Sequence, residues 1–163
     1  MTQKVRQMVR AAVIGALYVV LTHLQNLIFP NSASMAIQFR ASEALCVLAF
    51  FTPAAIPGLT AGCLLFNLTF IGSLPLDFLV GTLATLGAAA SMRLLRRLPF
   101  LGLLMPALWN AFLVGWELSV YIGGGFWLNA LYVAIGEAAV LLTLGTALYY
   151  ALKTRNLHTR LFS

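Results

Sequence analysis

Apolar residues fill most of the chain, and glycine, proline and small groups of charges punctuate them instead of a repeating polar stripe. The run from Ala11 to Phe29 closes at Pro30 to Ser34. Pro53 and Pro57 part a second segment from a third, Gly72-Ser73-Leu74-Pro75 the third from a fourth, and Gly123-Gly124-Gly125 a fifth from a sixth. This punctuation predicts helices over 5–29, 41–53, 55–71, 76–95, 100–122 and 126–152. A bilayer crossing takes about 20 apolar residues, so the pattern reads as a six-helix membrane protein. The second segment is short. At ~1.5 Å per residue it reaches only ~20 Å, so it is either partly re-entrant or continues past Pro53. The connection over 30–40 is the longest outside the helices. It carries Gln38 and Arg40 and is placed to cover a site. A basic start followed by an apolar run also resembles a signal peptide, but Ala11 to Phe29 exceeds the usual 7–15 residue core of one.

Composition narrows the class. The chain is 61% hydrophobic and 9% charged, with a mean hydropathy of +0.94. Soluble domains carry about 25% charged residues, and disordered chains lack this much apolar surface. Long unbroken runs are also unlike the alternating ~10-residue strands of a membrane barrel. The 163 residues are expected to form a single all-α transmembrane domain.

Charge supplies the orientation. Of ten basic residues, nine fall into three clusters: Lys4, Arg6 and Arg10; Arg93, Arg96 and Arg97; Lys153, Arg155 and Arg160. By the positive-inside rule these share the cytoplasmic side, which requires an even number of crossings between them. Four crossings before the second cluster and two after it fit, with both termini cytoplasmic. The pattern is not that of a nucleic-acid surface.

The remaining charges are the informative ones. Arg40, Glu43, Asp77, Glu117 and Glu137 all lie in or beside apolar segments. A charge near the bilayer centre costs about 3 kcal/mol even on the lenient insertion scale. Local readings exist for three of the four acids. Asp77 opens the fourth segment, where a carboxylate caps a helix. Glu43 lies three residues after Arg40, within ion-pair reach on a helix. Glu117 sits beside Trp116 and near Tyr121, as in an interfacial belt. Glu137 is about eleven residues, or ~16 Å, into the sixth segment, near the midplane, and must face a partner or a cavity.

Polar residues at helical spacing extend the set: Asn110 with Glu117; Asp77 with Gly81 and Thr85; Tyr18 with Thr22 and Asn26; and Asn67. Any one of these serves equally well as interhelical glue, worth ~0.6 kcal/mol on average. Together with four acids they point to a pocket that opens outward and is floored near Glu137. Four carboxylates against one arginine favour a small ligand rich in donors or carrying positive charge. Trp109, Trp116, Tyr121 and Trp127 offer stacking or cation–π faces, or else interfacial anchors. His23 reads as a packed or interfacial histidine, His158 as solvated, and Cys46 and Cys63 as small buried apolar side chains.

Several chemistries have no support. The only lysines are Lys4 and Lys153, and no phosphate-binding loop occurs, so any ATP hydrolysis falls to another chain. No metal-ligand spacing, nucleophile motif or cofactor motif is present, and neither metal nor cofactor is expected. An enzyme using two of the acids would need a nucleophile or metal set that the chain does not display. Small residues at Ala12-x-x-x-Ala16 would let a partner helix approach closely, or pack within the protein, as would Gly58-x-x-x-Gly62.

The stretch Ile37-Gln38-Phe39-Arg40-Ala41-Ser42-Glu43-Ala44-Leu45, with Phe51-Thr52-Pro53-Ala54-Ala55-Ile56-Pro57-Gly58-Leu59 and Gly62-Cys63 to Asn67, resembles the QueT-type queuosine-precursor S components of energy-coupling-factor (ECF) transporters. Asp77 with Gly81, Thr82 and Thr85, the stretch from Asn110 to Glu117-Leu118, and Gly136-Glu137 extend the resemblance over nearly the whole chain. It implies a six-helix substrate-binding subunit in a bacterial plasma membrane, working with a transmembrane coupling protein and two cytoplasmic ATPases. It further implies docking on the coupling protein through Ala12 and Ala16, and a 7-deazaguanine substrate such as preQ1, preQ0 or queuine. The acids fit such a base: Glu137 or Glu43 for its N–H edge, Asp77 or Glu117 for a cationic arm. A different vitamin as substrate is the alternative within the same class.

The basic clusters yield a topological expectation. Single cysteines at Thr2 and Thr159 label only from the cytoplasmic side, and one at Ser34 only from outside. Labelling of Thr2 and Thr159 from opposite sides would establish an odd span count.

Overall fold

The computed structural model describes residues 2–30 and 39–154. The chain positions Gln38, Ser34, Arg155, His158, Thr159 and Arg160 lie outside these residues. Every element among the described residues is helical. Helix α1 spans Gln3–Ile28, a 3₁₀ helix Ala41–Phe50, α2 Ala55–Thr69, α3 Asp77–Leu94 and α4 Pro99–Tyr121. Helix α5 covers Phe126–Val140 and passes through a π turn, Leu141–Gly145, directly into α6, Thr146–Thr154. The last three elements form one rod of 29 residues. Six rods thus match the six segments expected from the sequence, and the protein is a helical membrane protein. Three of them, Gln3–Ile28, Pro99–Tyr121 and Phe126–Thr154, are long and apolar enough to cross a membrane.

Of the two alternatives for the short second segment, a helix continuing past Pro53 does not hold. The segment ends before Pro53, and it is wound as a 3₁₀ helix of ten residues. At ~2.0 Å rise per residue such a helix covers ~20 Å, against ~15 Å for the same residues as an α-helix. Eight of the ten are buried, because the segment runs through the middle of the bundle and touches every other rod. It is apolar on nearly all sides for that reason.

Rods consecutive in the chain alternate in direction, so α1 and α2 run parallel, and they cross closely. A Cβ on Gly58 would lie 2.6 Å from the Ala11 carbonyl oxygen, and one on Gly62 2.8 Å from that of Gly15. Only hydrogen fits at these points, so Gly58-x-x-x-Gly62 packs inside the protein. Ala12 and Ala16, one face around, remain exposed. They line a groove of about 690 Å³ with Pro53, Pro57, Ala61 and Leu65.

At one end of the bundle Gly123, Gly124 and Gly125 turn α4 into α5 with φ of 88°, 80° and 83°, a left-handed path open to glycine at no steric cost. Asn129 fastens this turn by donating to the Gly123 carbonyl at 2.7 Å. At the opposite end, Arg93 donates to the carbonyl of Phe50 at 3.0 Å and closes the free C-terminus of the 3₁₀ helix. The outward surface is lined by Leu, Ile, Val and Phe, among them Leu27, Leu68, Leu94 and Phe112. In lipid these cost nothing to expose, so the association of rods rests on close packing and interior hydrogen bonds.

The α1–α2 crossing sets a stability test. Gly62→Ala forces the two backbones apart, and overpacking of this kind costs about 1–3 kcal/mol. The variant is expected to melt at a lower temperature in detergent than the parent, whereas Leu68→Ala, on the exposed face of the same helix, leaves the melting temperature close to the parent's.

Candidate functional site

The site is assembled around the first turn of the 3₁₀ helix. Arg40 stands at its N-cap position and Glu43 in its first turn. With three residues per turn, Arg40, Glu43 and Cys46 stand one above another on a single stripe. The Cys46 thiol donates to Glu43 Oε2 at 3.2 Å. From α1, the Tyr18 hydroxyl donates to Glu43 Oε1 at 2.6 Å, and Thr22 and Ser42 share a bond of 2.7 Å. Gln25 holds the entry to the helix, donating to the Phe39 carbonyl and accepting from the Ala41 N–H at 2.6 Å. Glu43 is thereby a satisfied, fixed carboxylate with two donors from the protein itself.

Arg40 is the single basic residue in this region and is 1% exposed. Its guanidinium reaches α3, where Nη1 lies 3.7 Å from the position a Cβ on Gly81 would take. It interacts electrostatically with Glu43 and Asp77, with Glu117 and with Glu137. The acids that feel this one guanidinium come from four rods.

Asp77 begins α3 but is not its N-cap, a place held by Leu76 without a side-chain bond. Its Oδ2 instead accepts the N–H of Leu74 at 2.6 Å and closes the turn from behind. Its backbone carbonyl accepts Asn67 Nδ2 at 2.8 Å, and the same amide lies 3.5 Å from Cys63 Sγ. The first-turn position favours the carboxylate electrostatically as well.

Glu117 and Glu137 differ from these two. Both have no exposed surface. The Glu137 carboxyl oxygens have no hydrogen-bond partner among the described residues, and what stands at hydrogen-bonding reach of the Glu117 carboxyl is another acid, Asp77. Glu117 neighbours Asp77, and Glu137 neighbours Glu43. Asn110 Nδ2 and Asn67 Oδ1 are buried and unpartnered too. Buried polar groups in native proteins nearly always find partners, so a cluster of orphans on facing helices is the signature of a place where something else binds. The π turn begins four residues after Glu137, a distortion that often accompanies functional positions in helices.

All seven expected binding residues, Arg40, Glu43, Asn67, Asp77, Asn110, Glu117 and Glu137, are buried, at 5% exposure or less. The interfacial reading of Glu117 does not hold, because it faces inward while Trp116 and Tyr121 face out. Trp109, Trp116, Tyr121 and Trp127 are 40%, 48%, 43% and 77% exposed, as interfacial anchors would be, and not buried among the acids. Trp109 instead lies over Gly87 and donates to Ser91 on α3 at 3.0 Å. The aromatic side chain shown against an acid is Tyr18, bonded to Glu43 and without exposed surface. The cysteines are buried as expected but are not passive apolar fillers, since each takes part in the polar network. His23 is a packing histidine, 3.2 Å from the Thr69 hydroxyl and edge-on to Phe66. Sequence reasoning missed Ser42 and Cys46. Cys46 follows from three-residue spacing after Glu43, which becomes visible only once the segment is known to be 3₁₀, and Ser42 from its bond to Thr22 across the α1 contact.

A comparison with curated proteins and with solved structures finds no match. A family model described as QueT transporter matches residues 8–154, a span that contains every residue of the site. Its helices, its buried acids and that match agree: the chain is a membrane protein of the QueT transporter family.

Proposed function

We propose that this protein is the substrate-binding subunit of an ECF-type importer for a 7-deazaguanine queuosine precursor such as preQ1, preQ0 or queuine. The observation that carries the reading is the Glu137 carboxyl, buried with neither oxygen partnered among the described residues, together with the unpartnered Asn110 amide and the facing acids Glu117 and Asp77. A guanine-like edge offers adjacent N–H donors to a carboxylate and a carbonyl to a donor such as Asn110 Nδ2. Charge-assisted hydrogen bonds of this kind, made away from water, are strong and directional. Glu43, already held by Tyr18 and Cys46, then supports Arg40 and leaves the base edge to Glu137.

In this reading the chain binds and releases the base but does not hydrolyse ATP, and it performs no chemistry on its ligand. A transmembrane coupling protein and two cytoplasmic ATPases supply the work. The protein spans a bacterial plasma membrane six times, with its basic end and both termini in the cytoplasm. The exposed alanines of α1, Ala12 and Ala16, with the groove they line against α2, are the docking face for the coupling protein. Small residues there allow the backbones to approach closely.

Two measurements test this. Glu137→Gln removes a charge-assisted bond worth about 1.5–3 kcal/mol and weakens 7-deazaguanine binding roughly tenfold to a hundredfold in calorimetry. An unchanged affinity in a folded variant would remove Glu137 from the site, and a copurified vitamin of another class, identified by mass, would change the substrate. Ala12→Trp and Ala16→Trp are expected to keep ligand affinity in detergent yet lose both copurification with the coupling protein and uptake in cells. Normal uptake by these variants would place the docking face elsewhere.

A further inference from the structure

The charges of this chain are sorted by sign. All four acids, Glu43, Asp77, Glu117 and Glu137, are buried in the site around Arg40. The end of the bundle where the 3₁₀ helix finishes carries bases instead. There α3 closes with Arg93 in its last turn, and Arg96 and Arg97 follow in the short turn before α4 begins at Pro99. The chain has no further acid with which to neutralise them, so their counter-charge comes from another molecule.

The three arginines share one hollow of about 550 Å³ with Ala90 and Leu94. Arg93 is held in place there, since its Nη1 donates to the Phe50 carbonyl at 3.0 Å. A guanidinium has five N–H donors on a planar fork, so this bond leaves others for a second acceptor. Arg96 is near enough to Arg93 to act on it as a like charge, a repulsion that a nearby anion relieves. Arg96 and Arg97 are themselves exposed. Below this cationic rim the surface is apolar. Leu94 is 83% exposed, and Leu98, Phe100 and Leu101 beside it are exposed too. Gly87, Ala90, Ser91 and Leu94 stand on one face of α3 by their spacing. Trp109 lies along that face, over Gly87 and bonded to Ser91.

From this we infer that Arg93, Arg96 and Arg97 form a site for the phosphate of an anionic phospholipid, whose acyl chains begin along Leu94 and Trp109. The inference is independent of the deazaguanine reading. A phosphate could also arrive as the free ion, but a free ion gains nothing from the apolar face, whereas a lipid meets both parts of the surface. Basic pockets beside membrane helices hold anionic headgroups in this way. Arg93 also fastens the end of the 3₁₀ helix, whose other end carries Arg40, so a lipid bound here braces the rod on which the acids depend.

The test uses the full chain purified in detergent, with phosphatidylglycerol and phosphatidylcholine of identical acyl chains and, in a separate arm, inorganic phosphate. Native mass spectrometry of the parent is expected to show one phosphatidylglycerol held at least about tenfold more tightly than phosphatidylcholine. The same lipid raises the melting temperature above that in phosphatidylcholine, and inorganic phosphate leaves it unchanged. Arg96→Gln combined with Arg97→Gln weakens phosphatidylglycerol by about tenfold to thirtyfold and brings the two lipids close to equal affinity. Lys4→Gln combined with Arg6→Gln removes the same charge from the start of α1 and preserves the preference. Equal binding of the two lipids by the parent overturns the site, as does an equal loss of preference in both double variants, which would show an effect of net charge. Inorganic phosphate that stabilises as well as phosphatidylglycerol overturns the lipid in favour of a free ion. An arginine variant that keeps the lipid preference but loses copurification with the coupling protein assigns the turn to a protein contact and overturns the lipid site as well.

Discussion

The burial of four carboxylates around one guanidinium is the constraint on which this structure depends. Removing a charge from water costs several kcal/mol even after relaxation, and attraction repays it only where geometry and hydrogen bonds are good. Arg40 is placed where it serves acids from the 3₁₀ helix, α3, α4 and α5 together. For it to do so, its carrier must pass through the centre of the bundle. That requirement accounts for a short, almost wholly buried second rod where the sequence suggested either a partial crossing or a longer one. It also accounts for the fastening at both ends of that rod, by Gln25 at its start and Arg93 at its finish.

Partial satisfaction separates scaffold from site. Glu43 and Asp77 take donors from Tyr18, Cys46 and the Leu74 N–H, so their oxygens are held by the protein in any state of occupancy. Glu137 receives no such donor among the described residues, and Glu117 meets another acid. A fully satisfied network rigidifies a core, whereas an incomplete one carries a cost that a complementary ligand relieves. The first pair thus sets the frame in which the second pair can act. For a transporter this division is useful, because a site that is too well satisfied when empty gains little from its cargo.

The rods themselves are held by a different physics. Their outward faces are apolar and lie in a solvent as apolar as they are, so burial of leucine contributes little to their association. Close backbone approach does more, most visibly where Gly58 and Gly62 meet Ala11 and Gly15. The neighbouring alanines at 12 and 16 extend the same smooth surface to the outside. One crossing therefore fixes α1 against α2 internally and presents small residues externally, which couples the framework to the face available for a partner.

Much of this was determined by the sequence alone. The number of rods, the turn at Gly123 to Gly125 and the burial of Arg40, Glu43, Asp77, Glu117 and Glu137 follow from apolar runs, punctuation and the cost of charge in lipid, and these are properties of local composition. The aromatic partners were not legible. Trp109 and Trp116 lie on the same helix as Asn110 and Glu117, and a shift of one residue turns a side chain by about 100°, so adjacent positions face opposite environments. Only the tertiary structure decided that Tyr18 stands beside an acid. The division of labour among the carboxylates was equally hidden, because hydrogen-bond satisfaction depends on groups distant in the chain: Tyr18 reaches Glu43 across 25 positions. The winding of Ala41–Phe50 as a 3₁₀ helix was decided in the same way. Its residues are compatible with an α-helix, and the span it must cover between Gln25 and Arg93 is set by the rods around it.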